Sequence, residues 1–336
     1  MSLWATVSAQ PWPGPPVTTS YQAPATPSGE PQTLYQKISD NIDASVGLSA
    51  GLRFDSFKWS IAGNSDGTHP NILSELEWTQ VLSHQLSLRG DLEVKRHFYC
   101  RGQANMAWIQ SGSVRDSDYA GDDRTQEYSR SISDTDGDEL YDLVAGAGYP
   151  LYFKQGRFFL APMLGMSLHF QNFRITNGNQ VISENPPNTP AIGPLDSRLN
   201  STYTTRWFGL WAGCDLRYLM ETPSKEIPPI EWGVSLMYHF WSDYSAEADW
   251  NLRGDLDHPK SFEHDADGQG FTLAAKCQLP INKRLRINLA ANYTRWTTGE
   301  GDATTYPANG PPQTTQLNDV TWESHSVMLG IDCRFF

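Results

Sequence analysis

The stretch that decides the fold is residues 76–94, LEWTQVLSHQLSLRGDLEV. Its odd positions include Arg89, Asp91 and Glu93, whereas its even positions carry the apolar set Leu76, Trp78, Leu82, Leu86, Leu88, Leu92 and Val94. Successive side chains of a β-strand point to opposite faces. The alternation therefore predicts a long strand with one apolar face and one polar face.

The same period of two recurs along the rest of the chain. It predicts ten strands, over residues 42–54, 76–94, 98–108, 141–151, 160–170, 208–218, 232–240, 271–279, 285–293 and 327–335. Short connections such as Lys95–His97 alternate with long polar ones such as Ser113–Asp138. Short turns on one rim, long loops on the other and outward apolar faces are typical of outer-membrane barrels. We therefore predict an all-β, ten-stranded antiparallel transmembrane β-barrel located in a bacterial outer membrane.

A soluble β-sandwich also alternates, but it would not need strands this long or so many aromatic residues near strand ends. A pore is a further alternative. The inward positions carry many charges, including Arg89, Asp91, Arg217, Arg286 and Asp332. Because a ten-stranded barrel is narrow, we expect these charges to fill the lumen as ion pairs, which argues against a wide channel.

The first 38 residues differ from the barrel. Val7-Ser8-Ala9 followed by Gln10 resembles a signal-peptide cleavage site, and seven prolines follow within residues 10–35. A polar, proline-rich segment cannot bury a core. We predict a signal remnant and disordered tail over residues 1–38, and one barrel with long extracellular loops over residues 39–336.

Composition limits the partners and cofactors. The net charge of −13 argues against nucleic acid. No run of eighteen apolar residues occurs, so no transmembrane helix is expected. Cys100, Cys214, Cys277 and Cys333 form no CxxC pair and fall on predicted lipid faces, so we expect neither disulfides nor a metal site. We expect a monomer surrounded by outer-membrane lipid.

Two carboxylates mark the end of the third strand. Asp116 and Asp118 are separated by one residue, and residues i and i+2 of an extended chain face the same way, about 7 Å apart. Both side chains are therefore expected to face one cavity in the connection that follows the strand.

Together with these aspartates, several short motifs resemble the omptins, the ten-stranded outer-membrane proteases of Gram-negative bacteria. The resembling segments are DNIDASVG at 40–47, SELEW at 74–78, DSDY at 116–119 and NYTRWT at 292–297. The resemblance runs over about residues 40–336, although each motif is short. It implies that Asp116 and Asp118 hold a water molecule on one wall of an extracellular groove.

The resemblance also implies an Asp-x-His dyad on the opposite wall, where the histidine acts as a general base. Asp249 takes the place of the dyad aspartate, but Asn251 then stands at the histidine position, and asparagine cannot accept a proton near neutral pH. A second alignment supplies His258, with Asp255 or Asp257 nearby, as the base. His264 is a further candidate.

The resemblance assigns substrate binding to two other acids. Asp55 and Glu247 would pair with a basic side chain of a polypeptide substrate. No counterpart of the omptin lipopolysaccharide cluster is found on the fifth strand, although lipopolysaccharide stays a candidate activator. Two functions follow: an endopeptidase that cuts near basic residues, or an inactive relative that serves as a structural or adhesive surface protein.

Overall fold

The computed structural model describes residues 42–184, 189–222 and 227–335. Its strands are β1 Ile42–Ile61, β2 Ser74–Val94, β3 Phe98–Gly121, β4 Thr125–Asp134, β5 Glu139–Gly148, β6 Leu151–Phe153, β7 Phe158–Ser183, β8 Gly193–Pro194, β9 Ser201–Met220, β10 Ile230–Asp249, β11 Phe262–Pro280, β12 Leu285–Thr298, β13 Gly301–Thr305 and β14 Gln313–Arg334. Within these ranges no helix could cross a membrane. The tail predicted over residues 1–38 lies outside the described residues.

The strands form one closed antiparallel ring with ten positions. β4 and β5 share the position between β3 and β7, and β12 and β13 share the position between β11 and β14. β1 pairs with β14 from Ser45 opposite Arg334 to Ile61 opposite Leu317, which closes the ring. The prediction of a ten-stranded all-β barrel is confirmed.

An apolar belt surrounds the half of the barrel that carries the short turns. Its exposed members include Leu48, Leu88, Leu143, Leu164, Val234, Leu273, Leu289 and Leu329. A strand crosses a membrane in about 9–11 residues, whereas β7 has 26. The strands therefore continue far beyond the belt on the side of the long connections. The loop predicted for Ser113–Asp138 was wrong, because β3 and β4 occupy most of it.

Register shifts just above the belt exchange the inner and outer faces of some strands. In β2 the pairing shifts between Thr79 and Ser83, where Gln80 has a φ of 53°. Leu88 below the shift is exposed, but Trp78 above it is fully buried inside the barrel. The prediction that one apolar face runs unbroken to Leu76 was wrong, because a bulge adds a residue and turns the following side chains over.

An aromatic layer fills the barrel above the belt. Trp78 lies 5.1 Å from Phe173 and 5.3 Å from Tyr203, and Trp59 lies 5.9 Å from Tyr203, between ring centroids. The same buried cluster includes Phe57, Trp207, Tyr244, Trp296 and Trp322. Because these rings come from strands all around the ring, the layer spans the lumen in this structure. Sequence reasoning placed Trp78 on the outside and missed the layer.

The lumen below the aromatic layer is polar and its charges are paired, as predicted. The closest nitrogen and oxygen atoms lie 2.9 Å apart in Arg89–Asp91 and in Arg101–Asp215, and 3.0 Å apart in Lys276–Asp332. These residues border or lie beside a cavity of about 100 Å³ at the end that carries the short turns. Carboxylates and cations thus neutralise one another inside the narrow lumen.

Candidate functional site

Asp116 and Asp118 both lie in β3 and face the inside of the barrel above the aromatic layer. Asp116 is opposite Leu76 of β2, and Asp118 is opposite Ser74. Leu76 is buried in the core, which fixes the inward direction of this face. The two aspartates therefore share one cavity, as the i, i+2 spacing predicts, but they belong to a strand and not to a loop.

One oxygen of the Asp116 carboxylate is buried without a hydrogen-bond partner among the described residues. Its Oδ1 atom is shielded from solvent and accepts no hydrogen bond. Burial raises the pKa of Asp116 well above its usual range, and the neighbouring Asp118 carboxylate raises it further. Burial also raises the pKa of Asp118, although side-chain hydrogen bonds from Ser74 and Ser129 oppose the shift. The pair therefore holds protons more strongly than exposed carboxylates do.

The cation that faces this pair is Arg253, in the connection after β10. Its charge favours the ionised form of both carboxylates and therefore opposes the rise in the pKa of Asp116 and of Asp118. However, its guanidinium binds Asp255 in a two-point contact, with Nε to Oδ1 at 2.8 Å and Nη2 to Oδ2 at 2.7 Å. Sequence reasoning missed Arg253.

The inner face of β10 carries no acid or base near its end. The register of β10 shifts between His239 and Trp241. Above this shift the inward residues are Tyr244, Ala246 and Ala248, all in the buried core. Trp250 follows and contacts Phe262 edge to face, at 4.6 Å between ring centroids. An inward Asp-x-His dyad would have to occupy these positions. The side chains present can neither orient a histidine nor accept a proton.

Asp249 and His258 do form a hydrogen-bonded pair. His258 Nδ1 lies 2.6 Å from Asp249 Oδ1, and both side chains are partly exposed. Asp249 pairs in register with Thr202 and follows the inward Ala248, so strand alternation directs it to the outer face. The pair combines the aspartate of the first alignment with the histidine of the second, and it lies on the opposite face of β10 from the one that looks toward Asp116.

The other candidate histidine and Asn251 have structural partners. Asn251 accepts a hydrogen bond from the Asn200 backbone N–H at 2.9 Å and donates to the Arg198 carbonyl at 2.8 Å, which ties two connections together. His264 is buried in the aromatic layer, where its Nδ1 lies 2.9 Å from the Tyr203 hydroxyl. Burial lowers the pKa of His264 to about 3, so its imidazole is neutral.

The two acids expected to bind substrate are both engaged elsewhere. Asp55 is 4% exposed and accepts hydrogen bonds from Arg53 at 2.8 Å and from Trp322 at 2.8 Å. Arg53 and Trp322 together engage both of its oxygens, and its role in substrate binding stays a prediction. Glu247 is exposed on the outer face, where its Oε1 contacts Lys260 Nζ at 3.0 Å. The face exchange in β10 explains why it points away from the cavity.

No group of histidine, cysteine and carboxylate side chains within the described ranges has the arrangement of a metal site. The four cysteines are not joined in disulfides.

Two adjacent exposed aromatic residues, Phe240 and Trp241, are the one sequence signal that could have revealed the face exchange in β10. In an unbroken strand one of them would face the lumen.

One family match and the likeness to one solved structure support the fold and the location. The family described as "Pom: Protochlamydia outer membrane protein" matches residues 47–335. The outer membrane protease OmpT from Escherichia coli has a similar structure, with a TM-score of 0.70 at 12% identity over 87% of this chain and 97% of OmpT. OprG from Pseudomonas aeruginosa aligns over 88% of this chain and 97% of OprG at 8% identity, with a TM-score of 0.31. No curated protein matches the sequence.

The likeness to OmpT concerns the fold, because 12% identity does not carry an activity. The omptin-like architecture expected from the sequence is thus confirmed, and the chain is an outer-membrane protein.

Proposed function

This chain belongs to the Protochlamydia outer membrane protein family, and from that premise we propose that it is a surface barrel without peptidase activity. The observation that carries the proposal is the inner wall of β10, which presents Ala246, Ala248 and Trp250 toward the cavity of Asp116 and Asp118. General-base catalysis needs a proton acceptor within hydrogen-bond reach of the attacking water. No such group lies on that wall.

The proposal assigns a structural and adhesive role to the extracellular part. The strands extend well beyond the apolar belt and raise the long connections above the membrane. Carboxylates outnumber cations in these connections; Asp66, Asp122, Asp123, Asp255 and Asp257, for example, lie in three of them. A rim of negative potential attracts partners with basic surfaces. A basic polypeptide would then be a bound partner and not a substrate.

One observation favours a second candidate function, the endopeptidase. The 2.6 Å contact between His258 and Asp249 is the arrangement that orients a histidine as a general base. In this alternative the connection after β10 would rearrange to bring His258 toward Asp116 and Asp118. Asp249 and His258 would then act together with the aspartate pair.

Peptide hydrolysis distinguishes the two functions. We expect refolded protein to cleave a fluorogenic dibasic peptide no faster than buffer, with or without lipopolysaccharide, because no base faces the aspartate pair. OmpT, assayed in the same lipid, provides the positive control. Cleavage that is lost in both Asp116→Ala and His258→Ala would establish the endopeptidase and contradict the proposal.

A further inference from the structure

The rim formed by the short turns is basic, although the chain as a whole is acidic. Both described chain ends, at Ile42 and Phe335, lie at this rim. In bacterial outer-membrane barrels the short turns are periplasmic. The periplasmic cations of the described turns are Lys95, Arg96, Lys154, Arg157, Lys283 and Arg284, all exposed. We call these six residues the basic rim.

Most cations of the basic rim form no ion pair with a carboxylate of the described residues. Arg157 contacts Glu221 in the described residues. Arg96 instead stacks on Tyr152, with its Cζ 3.8 Å from the ring centroid, and Lys154 Nζ lies 5.1 Å from the Phe158 centroid. Lys283 and Arg284 make no side-chain ion pair within the described ranges. These charges contrast with the lumen, where nearly every cation is paired.

The basic rim lies at the edge of the apolar belt. Lys95 and Arg96 precede Phe98, Lys154 lies between Phe153 and Phe158, and Lys283 and Arg284 lie between Ile281 and Leu285. All five apolar neighbours are exposed on the outside of the barrel. Aromatic and cationic side chains at this boundary lie at the level of lipid head groups. The cations are therefore placed where lipid phosphates lie.

Turn formation does not explain the two cations between β2 and β3. Lys95 and Arg96 have φ values of 51° and 57°, and the His97 N–H donates to the Val94 carbonyl at 3.0 Å. Positive φ values at both central residues of a turn favour Asn and Gly. Lys154, at φ 48°, adopts the same left-handed conformation. Backbone geometry alone would select other residues at these positions.

We propose that the basic rim binds the phosphate groups of anionic phospholipids in the periplasmic leaflet. A basic side chain near an anionic membrane surface gains about a fivefold preference, which screening reduces within a Debye length. The acidic extracellular connections repel the same head groups. The charge distribution therefore fixes both the depth and the direction of the barrel in the membrane. This inference does not depend on whether the barrel hydrolyses peptides.

Lipid selectivity tests the inference directly. The full-length protein would be placed in vesicles of phosphatidylcholine that contain a trace of one spin-labelled lipid. The measured quantity is the fraction of that lipid immobilised by the protein, compared between spin-labelled phosphatidylglycerol and spin-labelled phosphatidylcholine. We expect a preference of two- to fivefold for phosphatidylglycerol at about 0.1 M salt that falls toward one at about 1 M salt. The variant Lys95→Asn/Arg96→Gly/Lys283→Gln/Arg284→Gln removes four of the six cations and should lose most of the preference, and its Asn-Gly turn should keep the protein folded.

A matched control removes four exposed extracellular cations instead, Arg124→Gln, Arg198→Gln, Arg206→Gln and Arg295→Gln, and should keep the preference. Equal immobilisation of both lipids at low salt would overturn the inference, as would an equal loss of preference in the two fourfold variants. Inorganic phosphate should reduce the preference no more than chloride at the same ionic strength. A larger effect would indicate a free-phosphate site and would also overturn it.

Discussion

Replacing Arg53 with methionine is expected to destabilise the barrel by about 3–5 kcal/mol, because it leaves two buried carboxylates without their cation. Arg53 is 2% exposed. Its Nε lies 2.8 Å from Asp55 Oδ2, and its Nη1 lies 2.7 Å from Asp142 Oδ2. Its guanidinium also lies over the Trp322 ring, 5.6 Å from the centroid. The loss is large compared with a typical folding free energy of about 5–15 kcal/mol.

The measurement is reversible denaturant unfolding of the refolded protein in lipid vesicles. The double variant Arg53→Met/Asp55→Asn should recover part of the loss, since Trp322 can still donate to the asparagine oxygen. Arg198→Met, which removes an exposed arginine paired with Asp196, should change the midpoint little. An Arg53→Met midpoint equal to that of Arg198→Met would show that the buried network does not stabilise the fold.

Replacing Trp78 with alanine is expected to cost about 3–5 kcal/mol, because it opens a cavity in the aromatic layer. Trp78 is fully buried and contacts Phe57, Phe173 and Tyr203 at 5.1–5.7 Å between ring centroids. These partners come from three other strands, so the layer can collapse only if the barrel wall moves.

The same unfolding measurement tests Trp78. Ile192→Ala, at a residue that is 70% exposed, provides the control and should stay within about 0.5 kcal/mol of wild type. If Trp78 instead faced lipid, as an unbroken alternation along β2 predicts, its replacement would leave no cavity. An equal effect of the two substitutions would therefore contradict the face exchange in β2.

Within the belt the sequence was sufficient to predict the fold. Lipid on one side and a packed lumen on the other force strict alternation, as at Leu86 and Leu88. Above the belt both faces are mixed, and the strands continue without an apolar signal. Asp116 was therefore assigned to a loop although it lies in β3.

The candidate site was only partly predictable for a related reason. The shared cavity of Asp116 and Asp118 follows from local spacing. The opposite wall depends on a bulge between His239 and Trp241. The added residue places Ala248 on the inner face, where an unbroken strand would place Asp249. Arg253 could not be predicted because its position depends on the path of a connection.

The proposed absence of peptidase activity depends on which face of β10 points into the barrel. Cysteine labelling measures that orientation. In a variant with Cys100, Cys214, Cys277 and Cys333 replaced by alanine, Ala248→Cys and Asp249→Cys would be exposed to a charged maleimide. We expect Asp249→Cys to react readily and Ala248→Cys to be protected, because Ala248 is buried in the core and Asp249 is partly exposed. A reactive Ala248→Cys with a protected Asp249→Cys would contradict the account, since Asp249 would then face Asp116.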